Sequence, residues 1–113
     1  MTSDLKGKSV LITGAAGCIG AWVVKKLIDI GATPVVFDLS DNRSRLNLIM
    51  DDANAVTWEI GDITDFAKVQ DVMAKHDIYA VIHLAALQVP FCKADPVGST
   101  KVNVLGTTHI FEA

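Results

Sequence analysis

The stretch Val10-Leu-Ile-Thr-Gly-Ala-Ala-Gly-Cys-Ile-Gly-Ala21 constrains this chain more than any other: a short apolar run followed by three glycines at three-residue spacing. Val10, Leu11 and Ile12 read as a strand that brings the backbone to a turn at Gly14, with a helix starting near Gly17. The first N–H groups of such a helix lack intrahelical partners, and their summed dipole favours an anion. A pyrophosphate suits that position. Gly17 then lacks a side chain so that the backbone can approach phosphates, and Gly20 so that the helix can pack closely on the strand. The plain alternative is an ordinary strand-to-helix turn, and the motifs further along weigh against it.

The next 90 or so residues can be tested for the rest of a dinucleotide fold. Residues 17–30 place Ile19, Val23, Leu27 and Ile30 on one helical face, and Gly31 closes the helix. Pro34 leads into a strand, Val35-Val36-Phe37, that ends at Asp38, eighteen positions after Gly20. An acid at that distance accepts hydrogen bonds from both hydroxyls of an adenosine ribose, and it repels a 2′-phosphate. NAD is therefore favoured over NADP, with Arg43 nearby keeping the second open. Asp38 as a simple turn former is the alternative role.

Residues 40–52 read as a loop and a short helix with Leu46, Ile49 and Met50 inward and a polar exit over residues 51–54. A third strand over residues 56–60 ends at Gly61-Asp62-Ile63, and a helix over residues 65–75 turns Phe66, Val69 and Met73 inward. Asp62 and Thr64 also suit helix capping. Residues 79–84 form a fourth, buried strand running on through Ala85, Ala86, Leu87 and Gln88. Its small residues leave room for a cofactor to approach the backbone, and His83 within it reads as a hydrogen-bonded core histidine. Asp95 caps and Pro96 begins a last helix that runs past Asn103-Val-Leu-Gly-Thr107 to Phe111.

These elements alternate as βαβα, which implies an α/β, Rossmann-type doubly wound parallel sheet. It would be incomplete: four strands in the order 3-2-1-4, forming the N-terminal part of a dinucleotide-binding domain over residues 1–113. The apolar edge of strand 4 invites pairing with another chain, so a homo-oligomer through that edge or the last helix is expected.

A chain of 113 residues makes one domain and can bury about two-thirds of its unfolded surface. A net charge of −3 without a Lys/Arg stripe argues against nucleic acid and anionic membranes as partners. Cys18 and Cys92 supply neither a disulfide framework nor metal-ligand spacing, so no metal is expected. With no signal-like segment and no long apolar run, the expected location is the cytoplasm.

Thr13-to-Gly20, Asp38, Gly61-to-Ile63, His83-Leu-Ala-Ala86 and Asn103-to-Thr107 follow the order and intervals of one family. The chain resembles the extended short-chain dehydrogenase/reductases, the NAD-dependent epimerases and dehydratases, over the N-terminal half of their cofactor domain. The resemblance implies that Gly14, Gly17, Cys18 and Ile19 surround the pyrophosphate, with Gly20 completing the glycine motif. It further implies Asp38 and Asn42 at the ribose, Asp62 and Ile63 at the adenine, and Leu84, Ala85 and Ala86 along the cofactor's centre. Asn103 would brace the sheet beside it. Cys18 departs from the aromatic residue common in the family; backbone groups bind the phosphates, so packing is its simplest role, and a thiol acidified by the helix end is the other.

In that family a tyrosine base within Tyr-x-x-x-Lys drives hydride transfer at the nicotinamide. The one tyrosine of this chain, Tyr79, is followed four positions later by His83. No catalytic residue is therefore assigned, and no turnover is expected of the chain as it stands. Three functions remain open at this stage. They are a cofactor-binding fragment of an oxidoreductase acting on a sugar nucleotide or other hydroxyl substrate, a non-catalytic dinucleotide-binding or sensing module, and a remnant that binds nothing.

Overall fold

Apolar side chains on both faces of a strand require cover on both sides, and this sets the layers of the molecule. The computed structural model describes residues 2–50, 56–86 and 89–113. At its centre is β1 (Ser9–Thr13), whose Val10, Leu11, Ile12 and Thr13 are all buried. β1 pairs in parallel with β2 (Thr33–Asp38) on one side and β4 (Ala80–His83) on the other; β2 in turn pairs with β3 (Thr57–Ile60). The strand order is β3-β2-β1-β4, as the βαβ pattern predicts. The expected polar exit over residues 51–54 and the run through Leu87 and Gln88 lie outside the described residues.

One face of the sheet carries α1 (Cys18–Asp29) and α2 (Ser44–Asn47), with Val10, Ile12, Val36, Val24, Leu27 and Leu46 in one core. The other face carries α3 (Phe66–Lys75), whose buried Val69 and Val72 meet Leu11, Val35, Phe37 and Ile63. Asp65 caps α3 by accepting from Lys68 N, and Asp77, at φ +50°, turns the chain out of it. The last helical stretch packs on this second face through Val102 and Ile110.

Three expectations need correction. The inward face of α1 is Gly20, Ala21, Val24 and Leu27, whereas Ile19 is 70% exposed. Close approach to the sheet selects small residues at the start of the helix, so Ile19 turns outward, while Val23, Leu27 and Ile30 pack against the core as expected. β4 is half-buried along its whole length rather than buried, because among the described residues it has only β1 beside it. The stretch after Ala86 contains a separate α4 (Val89–Ala94), followed by α5 (Pro96–Thr100) and α6 (Thr107–Glu112) joined by a π-helical segment, Lys101–Gly106. Asp95 and Pro96 start α5 as their chemistry predicts, Asp95 accepting from Gly98 N. No helix among the described residues is long and apolar enough to cross a membrane.

Candidate functional site

The chain leaves β1 for α1 on one face of the sheet, while the last helical stretch after β4 packs on the other face, and a crevice opens above the carboxyl ends of these strands. A cleft of about 320 Å³ occupies it. Gly14 lies at its floor with φ +75°, and a Cβ there would sit 2.8 Å from Ala85 N. Any side chain at this position would therefore force the exits of β1 and β4 apart. Gly20 works differently: its Cβ would fall 2.4 Å from Ala15 Cα, so its absence lets α1 pack on the turn before it.

Gly17 has no such internal reason. A Cβ at Gly17 would meet only Gly14 O at 3.5 Å and the Arg45 guanidinium at 3.9 Å, and its φ of −76° suits any residue. Gly17 lines the cleft, so a side chain there would point into the space a ligand needs. It also forms the N-terminal boundary of α1, where no side chain caps the helix and the first turn holds no acid. The exposed N–H groups of that turn are thus available to an anion.

Asp38 closes the cleft from the tip of β2. Its Oδ2 accepts from Ala16 N at 3.0 Å, within the glycine turn, and its Oδ1 accepts from Ser40 N at 3.0 Å. The carboxylate is thereby tied to the turn that precedes α1, and Asp38 lines the cleft. Beyond it the loop is fixed locally. Asn42 N donates to Ser40 Oγ, Asn42 Oδ1 accepts from Ser44 N, and Trp58 Nε1 donates to Ser40 O. Arg43 is committed to this loop: it pairs with Asp41 at 3.1 Å, donates to Val56 O and stacks over Trp58 with its guanidinium carbon 4.7 Å from the ring centre.

The opposite wall comes from Asp62, Ile63, Leu84, Ala85 and Ala86. Asp62 Oδ1 accepts from both the N–H and the hydroxyl of Thr64, and Ile63 is buried. Behind this wall runs a hydrogen-bonded bridge. Thr107 donates its one hydroxyl proton to Asn103 O at 2.8 Å, so the 2.9 Å contact between Thr107 Oγ1 and His83 Nε2 is a donation from the imidazole. His83 Nδ1 is then the acceptor for Thr13 Oγ1–H, whose lone pairs receive Leu84 N–H and Ala85 N–H. Burial pushes His83 below the ordinary histidine value, consistent with a neutral ring. Its role is to join β1, β4 and α6 under the cleft.

The structure thus brings Gly14, Gly17, Asp38, Asp62, Ile63, Leu84, Ala85 and Ala86 around one cavity. Gly20 lies beneath it. Cys18 and Ile19 are exposed on the outer turn of α1, and Asn42 lies on the exposed loop. Asn103 sits in a different depression with Cys92, Pro96, Ser99, Thr100 and Val104, and its amide reaches Cys92 Sγ at 3.7 Å. Sequence reasoning missed Phe37, Leu39, Gly61 and Val102 as lining residues. Leu39 was readable as the neighbour of Asp38; Val102 was not, because its approach depends on how the last helix packs. Tyr79 is at the far end of the sheet: its N–H donates to Ser9 O, and Lys8 Nζ lies 3.9 Å from the centre of its exposed ring.

Comparison with known proteins agrees with this geometry. The family model described as GDP-mannose 4,6 dehydratase matches residues 11–113. A UDP-glucose 4-epimerase of Rhizobium leguminosarum bv. trifolii is 38% identical over 113 residues, covering 96% of this chain and 32% of the epimerase. The crystal structure of UDP-glucose 4-epimerase from Brucella ovis in complex with NAD superimposes with a TM-score of 0.78 at 32% identity, over 94% of this chain and 31% of that one. L-threonine dehydrogenase from Clostridium difficile superimposes with a TM-score of 0.80 at 25% identity, over 95% and 33%. The chain spans about a third of the length of these relatives. Glycine turn, acid-tipped second strand, strand order and family match together lead to one conclusion: the chain belongs to the extended short-chain dehydrogenase/reductases, in the NAD-dependent epimerase/dehydratase family, and corresponds to their N-terminal part.

Proposed function

We propose that this chain binds NAD in the cleft between β1 and β4, as the cofactor-holding part of an epimerase- or dehydratase-type oxidoreductase acting on a sugar nucleotide or a related hydroxyl compound. One observation carries the reading. The Asp38 carboxylate is held by Ala16 N within the glycine turn, so a ribose acceptor and the uncapped start of α1 face the same space. In this arrangement Asp38 holds the adenosine ribose and the α1 amides hold the diphosphate. Ile63 offers an apolar wall to the adenine, and Ala85 and Ala86 leave room for the second ribose. The nicotinamide supplies a hydride acceptor when bound; this chain contributes binding and orientation.

The charge on Asp38 disfavours a 2′-phosphate, and Arg43 is engaged on its own loop, so NAD is expected to bind more tightly than NADP. Tyr79 stands at the opposite end of the sheet from the cleft and His83 is a bridge, which supports the expectation of no turnover by this chain alone. Isothermal titration with NAD, NADP and adenosine tests the reading. Saturable NAD binding that is weakened in Asp38→Ala is the expected result; absence of binding at millimolar NAD, about −4 kcal/mol, would overturn it.

The outer edge of β4 favours self-association as a further property. Among the described residues this strand pairs only with β1, and its four side chains are half-exposed. Sedimentation equilibrium should give a mass above that of one chain at high concentration, and a monomer throughout would rule this out.

A further inference from the structure

We propose that Arg45 is a diphosphate-binding residue of the cleft, reaching across Gly17 onto an anion seated at the start of α1. The proposal rests on the reading of the cleft as a dinucleotide site and adds to it a side chain that neither spacing nor the glycine motif identifies. Its origin is the packing of α2. Leu46 is 2% exposed and belongs to the core that α1 covers, so it pins this short helix beside α1. Arg45, the residue before it, is exposed and reaches the N-terminal boundary of α1, with Nη1 3.9 Å from where a Gly17 Cβ would stand.

The electrostatics of that placement are unusual. The first turn of α1 bears the positive end of the helix dipole, with no acidic residue and no side-chain cap to balance it. A guanidinium beside it adds a second positive group. Among the described residues no carboxylate lies within ion-pair distance of Arg45. Arg43, two positions earlier, shows the contrast: it has an acid, a carbonyl and an aromatic ring as partners. Asp38, the acid nearest the glycine turn in the cleft, has each oxygen engaged by a main-chain N–H. Two positive features therefore converge on Gly17 without an anion between them, and a diphosphate there would satisfy both. The planar fork of arginine suits two phosphate oxygens at once, where a lysine would offer a single point of charge.

The test compares Arg45→Ala and Arg45→Lys with the unaltered chain, titrating NAD, ADP-ribose, adenosine and NADP at two salt concentrations. Arg45→Ala should weaken NAD and ADP-ribose by about tenfold and leave adenosine within twofold, since adenosine carries no phosphate. Arg45→Lys should recover part of the loss, and the salt dependence of NAD binding should flatten in Arg45→Ala. Unchanged NAD affinity, equal losses for adenosine and NAD, or a loss confined to NADP would each overturn the proposal. If the unaltered chain takes up none of the four probes, the dinucleotide reading fails first and this inference falls with it. Because the Arg45 side chain is exposed, equal urea midpoints for all three proteins are expected, and a lowered midpoint in Arg45→Ala would assign it a structural role instead.

Discussion

Replacing Thr13 by Val keeps the shape of a fully buried side chain and removes only its hydroxyl. In the folded chain that hydroxyl donates to His83 Nδ1 and accepts Leu84 N–H and Ala85 N–H. Leu84 N–H keeps a partner in the Thr13 main-chain oxygen at 3.0 Å. Ala85 N–H and His83 Nδ1 keep none of those described. An orphaned buried group costs about 1–3 kcal/mol, and water can reach the half-buried imidazole, so Thr13→Val should lose about 2–3 kcal/mol. Urea unfolding followed by far-UV circular dichroism at pH 7.5 measures this, with Thr13→Ser expected to recover most of it.

The same pair of proteins carries a pH signature. Burial holds the folded His83 below its ordinary value of 6.5, so the folded chain binds fewer protons than the unfolded one below that pH. Its contribution is complete above about 6.5 and is lost as pH falls from there towards the folded value. In Thr13→Val the Nδ1 no longer faces a donor and takes a proton more readily. The stability gap between the two proteins should therefore narrow as pH drops from 7.5 to 5.5. A loss below about 0.5 kcal/mol, or a gap that does not change with pH, would refute the bridge.

Three further substitutions separate packing from binding and test an ion cluster. Gly20→Ala places a methyl 2.4 Å from Ala15 Cα and should cost about 1–3 kcal/mol in urea unfolding, whereas Gly17→Ala should change stability by less than about 1 kcal/mol yet impair NAD titration. Glu59 accepts from His76 Nε2 at 2.6 Å and pairs with Lys75 at 3.0 Å, and these contacts hold its carboxyl below the ordinary 4.5. Its contribution is thus present above pH 4.5 and lost as pH falls through the folded value. Glu59→Gln should cost about 1 kcal/mol at pH 7, a difference that shrinks in acid unfolding curves as the pH falls from 4.5 through that folded value.

Much of the architecture was legible because it is written in local chemistry. Apolar runs marked β1, β2 and β4 and alternation marked β3, Gly31 and the Asp95-Pro96 pair marked helix ends, and the interval from Gly20 to Asp38 set the first crossover. On α1, Leu27, Val23 and Ile30 pack against the core as read, but Ile19 was misplaced and the small residues overlooked because periodicity gives most weight to large apolar residues. The surface that meets the sheet is built from Gly20, Ala21 and Val24, and Trp22 faces outward. α4 escaped because neither a side-chain cap signal nor a clear period precedes it. Within the site, Gly14, Gly17 and Asp38 could be read from spacing. Arg45 could not, since its position depends on how a single turn of helix, anchored by Leu46, lies across its neighbour.

The widened turn at Lys101–Gly106 sets the phase of everything after it. Ser99 and Gly106 are both buried, and a Cβ on Gly106 would strike Ile63 Cγ2 at 2.6 Å, so Gly106 touches the Ile63 wall of the cleft directly. Thr107 meets His83 only because the wide turn adds the rotation that it does. Excising one residue from this segment would regularise the helix and swing Thr107 by about 100°. The imidazole would then lose its acceptor, so a deletion that improves the helix by itself would loosen the floor of the cleft from below.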